Sequence, residues 1–306
     1  MKPIIVFGSL NVDLTFSLPI FPCAGETIHS NSFKQSFGGK GANQAVACSR
    51  CQIDTTLIGA VGDDFFGKAY LDSLTQEERL TLEVTTISNT STGLASILVD
   101  ASGENMIVLS NGANTRLRAS SINFNDLHIC SDSIFLCQGE CDPTTTLQLM
   151  SHAKSIGSYC VLNLAPYSSY FLSDNFSEIV DLLIVNETEG QSICIDKQIP
   201  SNSIDEIITS LSSLVSSFII TLGSKGAILS TEGVVYRIPP VPVDDVVSTV
   251  GAGDAFCAGV CVGLASGRSL NDAAQIGAAV AASKLSFEGA QSVPRTSLKT
   301  LESKIV

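Results

Sequence analysis

A short glycine-rich stretch near the carboxyl end of the chain has residues suited to phosphate chemistry. Residues 250–256 read VGAGDAF and lead into a run of small apolar residues. Glycines at a helix start let the backbone turn sharply and approach a ligand, and the N–H groups there attract an anion. Asp254 falls in the first turn, where it could be a general base for an attacking hydroxyl. It could equally serve only to stabilise the helix dipole.

A second glycine-rich stretch, FGGKGANQA at residues 37–45, precedes a predicted helix. Gly39 and its neighbouring glycines would let a polyol approach the backbone closely. Lys40 and Asn43 would add a positive charge and hydrogen bonds to such a ligand. A glycine-rich turn with a solvated lysine would explain the same residues without any ligand.

Two further stretches lie where predicted strands end. The sequence NETE at residues 186–189 follows an apolar strand, and carboxylates at that end of a parallel strand can reach a ligand. Glu187 or Glu189 could hold a hydrated Mg²⁺, or Asn186 could simply cap a helix. The sequence TLGSKG at residues 221–226 could receive nucleotide phosphates on its backbone, or it could form a plain hairpin turn.

The elements that would position these stretches alternate between strand and helix. Apolar runs typical of strands occupy residues 4–7, 56–58, 133–136, 160–162, 182–185 and 218–221. Segments with helical spacing occupy residues 42–50, 66–74, 144–155, 204–214, 252–264 and 270–285. Fully apolar strands separated by helices indicate parallel strands covered on both faces. We therefore predict an α/β fold, a three-layer α/β/α sandwich with a mostly parallel central sheet.

Two regions depart from this alternation and predict a small β-sheet lid. Residues 12–37 contain two prolines and a glycine and show no helical period. Residues 91–112 contain two strand-like runs around a Ser-Gly turn, a pattern typical of a hairpin. We predict that both regions form a lid on a single domain spanning residues 1–306. An antiparallel edge of the main sheet is the alternative.

The composition limits the partners and the compartment. The 306 residues carry a formal net charge of −13, which would repel nucleic acid and anionic membranes. ATP could still bind, because backbone N–H groups and Mg²⁺ can build a local phosphate site. The chain starts with a short apolar run typical of a core strand and not of a signal peptide or membrane span. The ten cysteines are therefore expected to be reduced, buried thiols of a cytoplasmic protein.

Taken in order, these stretches resemble the ribokinase/PfkB family of sugar and nucleoside kinases. GAGD at residues 251–254 is similar to a signature of the whole family. The resemblance extends from GSLNVD at residues 8–13 to GAQSVP at residues 289–294. The glycine loop at residues 38–45 is more similar to the ribose kinases of the family than to its fructokinases or adenosine kinases.

The resemblance implies a role for each matching position. Sugar hydroxyls would be held by Asn11, Asp13, Gly39, Lys40, Asn43 and Glu140. Nucleotide contacts would come from Asn186, Thr221, Gly223, Ser224 and Gly226, while Glu189 would hold Mg²⁺ through water. An anion hole would be formed by Gly251, Ala252 and Gly253, beside Asp254 as the catalytic base. The lid of the family covers the sugar and often pairs with the lid of a second subunit, which implies a homodimer.

Two positions depart from the family pattern. The family usually has an aspartate where this chain has Ser248, and that aspartate helps to hold an activating monovalent cation. Because serine offers only a neutral oxygen, the resemblance implies a K⁺ site near Ser248 and Val250 less strongly than it implies the other sites. Ala278 stands where many relatives carry asparagine or histidine near the adenine, so the preferred base is left open.

The resemblance implies that the chain transfers the γ-phosphate of ATP to O5 of D-ribose, with Mg²⁺. Asp254 would accept the hydroxyl proton during a direct in-line transfer. Two alternatives stay open. One is another kinase of the family, acting on deoxyribose, a nucleoside or another sugar. The other is a sugar-binding sensor that uses the same fold without catalysis.

Overall fold

The computed structural model of the chain describes residues 1–124, 127, 129–172, 175–201 and 203–305. Within these residues the strands are β1 (Ile4–Phe7), β2 (Asn11–Ser17), β3 (Ser32–Gly38), β4 (Thr55–Gly62), β5 (Leu80–Ile87), β6 (Gly93–Val99), β7 (Asn105–Ser110), β8 (Ile134–Gln138), β9 (Tyr159–Asn163), β10 (Leu182–Asn186), β11 (Ser217–Thr221), β12 (Ala227–Thr231) and β13 (Val234–Ile238). The helices are α1 (Lys40–Arg50), α2 (Phe65–Leu74), α3 (Pro143–Ser155), α4 (Phe176–Ile179), α5 (Glu187–Asp196), α6 (Ile204–Ser212), α7 (Ala252–Ala265), α8 (Leu270–Leu285) and α9 (Leu298–Glu302).

The main sheet has nine strands in the order β13-β12-β11-β10-β9-β8-β1-β4-β5. The seven strands from β11 to β5 are parallel, and β12 and β13 extend the sheet antiparallel to them. Side chains of β1 alternate between two cores, since Ile4 and Val6 pack with α1, α7 and α8, while Ile5 and Phe7 pack with α3, α5 and α6. This alternation confirms the predicted three-layer sandwich.

The six predicted strands are all present, but three strands of the main sheet were not predicted. These are β5, β12 and β13, all at or near an edge of the sheet. Strands β5 and β13 are mostly exposed or half-buried, and their sequences mix polar and apolar residues. The apolar runs that identify central strands are therefore missing from them.

The lid is a separate four-stranded sheet in the order β3-β2-β6-β7. Strands β2 and β6 are parallel, and each has an antiparallel neighbour. The carboxylate of Asp100 accepts hydrogen bonds from the N–H groups of Ser102 (2.8 Å) and Glu104 (3.1 Å) and so stabilises the predicted β6–β7 turn. The alternative of an edge on the main sheet is thus wrong, while the assignment of the whole chain to one domain stays a prediction.

The cysteines and the helices bear on two further expectations. All ten cysteines are free thiols, and eight are buried, but Cys23 and Cys130 are exposed, contrary to expectation. No helix among the described residues combines the length and the apolar character needed to cross a bilayer.

Candidate functional site

The candidate site lies at the carboxyl ends of the central parallel strands. Asn163, Asn186 and Thr221 end β9, β10 and β11, and all three line a cavity of about 140 Å³. The same cavity is lined by predicted site residues from other elements, namely Lys40, Glu189, Gly251, Gly253 and Asp254. The structure therefore brings the glycine loop, the NETE stretch and the GAGD turn together at the edge where open α/β sheets bind ligands.

The GAGD turn makes a sharp entry into α7. Gly251 has φ of +80°, and a Cβ on it would lie 2.7 Å from the carbonyl oxygen of Ala290, so only glycine fits at this position. The N–H of Ala252 donates to the carbonyl of Thr249 (3.1 Å). Within the described part of the chain, the N–H groups of Gly253 and Asp254 have no acceptor. These two amides are therefore open to an anion, whereas the predicted Ala252 amide is already engaged.

Asp254 is buried, with 8% of its surface exposed. Its carboxylate accepts one hydrogen bond from Asn43 Nδ2 and one from Gln44 Nε2, each at 2.9 Å. Both donors lie in the first turns of α1, which includes most of the glycine loop. The two glycine-rich stretches that the sequence separates by about two hundred residues are thus joined at one carboxylate.

Gln44 belongs to a chain of buried amides that was not predicted. Its Nε2 also donates to Asn163 Oδ1 (3.0 Å), and its Oε1 accepts from Gln138 Nε2 (2.7 Å). Gln138 and Asn163 are the last residues of β8 and β9. Polar residues that end apolar strands are a signal that could have identified both, because this edge of the sheet carries the site.

The sugar-binding residues predicted from the resemblance lie where the lid meets the main sheet. Glu140 accepts hydrogen bonds from the Lys40 N–H (3.1 Å) and from the Ser9 hydroxyl. Gly39 has φ of +89°, and a Cβ on it would lie 2.7 Å from Asn11 N and from Ser9 O. The loop after β1, the start of β2 and the glycine loop therefore touch backbone to backbone.

Asn11 and Asp13 line the same region from β2. Asn11 Oδ1 accepts a hydrogen bond from Asn114 Nδ2 (2.7 Å), and Asn114 Oδ1 accepts from the N–H of Leu10 (2.9 Å). Asn114 thus orients Asn11, a role that was not predicted for it. Asp13 lies against Gly38, where a Cβ would come within 2.2 Å of its carboxylate.

The site concentrates carboxylates around one lysine. Burial alone would lower the pKa of Lys40, but the nearby carboxylates of Asp254, Glu140 and Glu189 raise it above its ordinary value. Burial, together with Glu140 and Asp254, raises the pKa of Asp13 to about 7. Burial also raises the pKa of Glu189. Lys40 therefore contributes a positive charge close to this acidic cluster.

A larger cavity of about 670 Å³ continues from the same turn. Thr221 and Gly253 line both cavities, so the two are contiguous. The predicted nucleotide residues Gly223, Ser224 and Gly226 line the larger one. Its remaining wall is mostly apolar and consists of Pro240, Val241, Pro242, Val243, Val246, Thr249, Ala252, Phe256, Ala278, Ala281, Ala282 and Leu285. An apolar slot beside exposed backbone amides suits a flat base with attached phosphates.

Glu189 is suited to a hydrated metal ion. Asn186 and Glu189 form a capping box at the start of α5, in which Glu189 Oε2 accepts from the Asn186 N–H (2.8 Å). This bond orients the carboxylate at the wall of the smaller cavity. No group of three metal-ligating side chains occurs among the described residues. One carboxylate with water and phosphate oxygens is nevertheless an arrangement that Mg²⁺ accepts.

The two residues of the predicted cation site have other partners. The Val250 N–H donates to Ser248 Oγ (3.3 Å), and Val250 itself is exposed. The carbonyl oxygen of Ser248 accepts a hydrogen bond from Lys284 Nζ (2.7 Å). Lys284 was not predicted, although a lone charge in the alanine-rich half of α8 could have drawn attention to it.

Known proteins are similar to this chain in sequence and fold over nearly its whole length. The model of the pfkB family carbohydrate kinases matches residues 1–297. A ribokinase of Haemophilus influenzae is 33% identical over 303 residues, which cover 98% of each chain. The structure of the Arabidopsis thaliana ribokinase with ribose and ATP superposes with a TM-score of 0.87 at 28% identity, covering 100% of this chain and 99% of that one. The structure of the Cryptococcus neoformans ribokinase with ADP superposes with a TM-score of 0.83 at 31% identity, covering 99% of each chain.

These matches define a carbohydrate kinase with a lid sheet. The chain belongs to the PfkB family of carbohydrate kinases. The relatives from Haemophilus, Arabidopsis and Cryptococcus are ribokinases, and their identities to this chain are close to 30%.

The raised pKa of Asp13 predicts how stability changes with pH. The carboxyl binds a proton up to about pH 7 in the folded protein but only up to about 3.8 when unfolded. The folded state therefore binds more protons in this interval, and stability falls as pH rises through it. We expect Asp13→Asn to remove part of this fall. The melting temperature of the variant minus that of the unaltered protein should therefore be more positive at pH 8 than at pH 5.

Thermal unfolding of the free protein across this pH range measures the effect. Asp132→Asn is the matched control, because Asp132 is exposed on a turn. If the melting temperatures of Asp13→Asn and the unaltered protein change in parallel with pH, the raised pKa of Asp13 is contradicted.

Proposed function

We propose that this chain is a ribokinase that transfers the γ-phosphate of ATP to O5 of D-ribose. The observation that carries the proposal is the position of Asp254. It lies at the start of α7, is hydrogen-bonded to two residues of the glycine loop, and lines the cavity that adjoins the nucleotide slot. A sugar held by the glycine loop and a nucleotide in the slot would meet at this carboxylate.

The groups on the sugar side suit a small polyol. Asn11, Asp13, Asn43 and Glu140 supply acceptors, and Lys40 supplies a charged donor. Asn43 Oδ1 is buried and has no donor among the described residues, so a sugar hydroxyl would satisfy it. Similarity of the glycine loop to ribose kinases and the identity of about 30% to named ribokinases favour ribose within the family.

The proposed reaction is a single in-line displacement. The O5 hydroxyl attacks the γ-phosphorus as the bond from that phosphorus to the bridging oxygen breaks and ADP leaves. The hydroxyl proton passes to Asp254, a contribution worth about 10²–10⁴ in rate. Charge that grows on the transferred group is stabilised by the N–H groups of Gly253 and Asp254 at the start of α7, with Gly251 shaping the turn. Lys40 lies on the sugar side of the same cavity and balances the charge of the acidic cluster. Closure of the lid would exclude water.

The nucleotide and metal assignments follow the two cavities. Thr221, Gly223, Ser224 and Gly226 would contact the phosphates and ribose of ATP, and Asn186 would lie near the phosphates. Glu189 would hold Mg²⁺ through water, and the ion would neutralise phosphate charge when bound. The wall of the base slot offers an apolar surface at Ala278, so base selection would depend on shape and backbone groups.

The lid also supports a homodimer. Strand β7 is exposed along its whole length, and it carries a row of apolar side chains, namely Met106, Ile107, Val108 and Leu109. The most exposed of these four side chains is Val108, at 69%. A contiguous apolar strand at a sheet edge is costly in water and marks an interaction surface. We propose that a second copy of the chain covers it with its own lid.

Compartment and remaining partners are proposed from charge and thiols. Ten free cysteines suit a reducing cytoplasm. The net charge of −13 supports neither a nucleic acid nor a membrane as partner. A non-catalytic sensor is disfavoured, because nothing in sugar sensing alone requires a buried carboxylate between the sugar and nucleotide cavities.

A sugar panel tests the proposed substrate. We expect ADP release with Mg-ATP to be faster with D-ribose than with deoxyribose, fructose or adenosine. The reason is that the glycine-loop residues and Glu140 resemble those of the ribose kinases of the family. The assay couples ADP formation to NADH oxidation and identifies the product by phosphorus NMR. Preferred turnover on a nucleoside or hexose would assign the chain to another kinase of the family, and binding of ribose without turnover would indicate a sensor.

Replacement of the proposed base gives a second prediction. Asp254→Asn keeps the size of the side chain but cannot accept the proton, so we expect kcat to fall by about 10²–10⁴. Calorimetric affinities for ribose and for ATP should stay within about threefold, since the new amide oxygen still accepts from Gln44 Nε2 and the new NH2 can donate to Asn43 Oδ1 once that amide rotates. Asp132→Asn serves as the control of equal charge change. Full turnover by Asp254→Asn would contradict the assignment of Asp254 as the general base.

The homodimer gives a third prediction. Sedimentation equilibrium at micromolar concentrations should show two chains for the unaltered protein and one for Val108→Glu, which places a charge in the proposed contact. Ile195→Glu introduces the same charge on α5, where Ile195 is 66% exposed and not on a sheet edge, and should leave two chains. A monomer at every concentration of the unaltered protein would exclude the lid contact.

A further inference from the structure

Lys284 is a buried lysine close to the phosphate-binding turn. It lies in the last turn of α8, and none of its surface is exposed. Burial lowers its pKa, as expected for an ammonium removed from water. A charged side chain at such a position needs a partner of opposite charge or a set of carbonyl oxygens.

The partner of Lys284 is a carbonyl group. Its Nζ donates to the backbone oxygen of Ser248 at 2.7 Å. Across residues 1–124, 127, 129–172, 175–201 and 203–305, no carboxylate lies within salt-bridge distance of this ammonium. An unpaired monovalent cation that faces a carbonyl resembles a bound K⁺ ion in charge and in the kind of atom it contacts.

The same segment of α8 holds the loop that leads into the turn. The N–H groups of Val247 and Ser248 both donate to the carbonyl of Leu285, at 2.8 and 3.1 Å. With the Lys284 bond, three contacts connect residues 247–248 to the end of α8. Since Gly251 follows three residues later, these contacts set where the open N–H groups of Gly253 and Asp254 point.

A monovalent cation does not fit this loop in the present chain. Ser248 replaces the aspartate that would supply negative charge, and its hydroxyl already accepts from the Val250 N–H. The Ser248 carbonyl is taken by the ammonium. A K⁺ ion at the same carbonyl would lie next to Lys284, and two like charges at contact distance repel strongly.

We propose that the Lys284 ammonium is a built-in replacement for the monovalent cation, so that this chain needs no K⁺ for loop order or for turnover. Lys284 is a positioning residue, because it acts through the loop before the anion-binding amides. The part of the proposal that concerns turnover rests on the proposed kinase function. The part that concerns cation binding is independent of it.

The unaltered protein gives the first test. Its melting temperature and its kcat are measured in potassium chloride and in choline chloride at equal ionic strength. We expect both quantities to be the same in the two salts within error. A melting temperature raised by about 2 °C or more in potassium alone would show specific binding of K⁺ to the folded state and overturn the proposal.

A pair of substitutions gives the second test. Lys284→Ala should lower kcat by about tenfold or more, because the anion-binding amides lose their fixed orientation. Adding Ser248→Asp to Lys284→Ala supplies space and a negative charge for an ion. We expect this double variant to become K⁺-dependent, with a higher melting temperature and higher kcat in potassium than in choline. Lys299→Ala, at an exposed lysine, is the control.

The outcomes separate this proposal from the proposed function. If Lys284→Ala keeps full turnover, or if the double variant shows no K⁺ effect on melting, the ammonium does not replace a cation. If no sugar is phosphorylated by any form, the melting experiments still decide the cation question. If Lys284→Ala does not fold, the salt comparison on the unaltered protein decides it alone.

Discussion

The buried charge of Asp254 is the constraint on which the site depends. A carboxylate taken out of water is stable only when donors surround it. In this protein the donors are the amides of Asn43 and Gln44 and the positive end of α7. Because these donors come from α1 and α7, the carboxylate can be satisfied only when both helices sit correctly over the sheet. Folding and assembly of the site are therefore the same event.

Helices α7 and α8 support the GAGD turn from behind. Helices α7 and α8 pack closely through glycines, since a Cβ on Gly259 would lie 2.7 Å from the Cα of Gly277. Close contact between the two helices places the end of α8 behind the start of α7. From there Lys284 reaches the loop before Gly251. The proposed phosphate end of the site is thus supported from the protein interior, while the proposed sugar end is formed by the lid and the glycine loop.

The sequence predicted the sheet, the lid and most residues that meet at the site. Long apolar runs identified the central strands, and glycines marked the turns at Gly39 and Gly251. It did not predict β5 and β13, because these edge strands mix polar and apolar residues and are mostly exposed or half-buried. It also missed β12, although the first residues of that strand are apolar and buried. It also missed Gln44 as a partner of Asp254, because a contact between residues 210 positions apart follows from packing and not from local pattern. Lys284 was missed for the same reason.

In the proposed reaction, one phosphoryl group passes directly between two substrates that meet at Asp254. The stereochemical course at phosphorus tests this direct transfer most directly. ATP with a chiral, isotope-labelled γ-thiophosphate is incubated with the enzyme and its preferred sugar, and the configuration at phosphorus in the product is determined. A single in-line displacement predicts inversion. Retention would require two displacements and an intermediate on the protein, and would contradict the role of Asp254 as the base in a direct transfer.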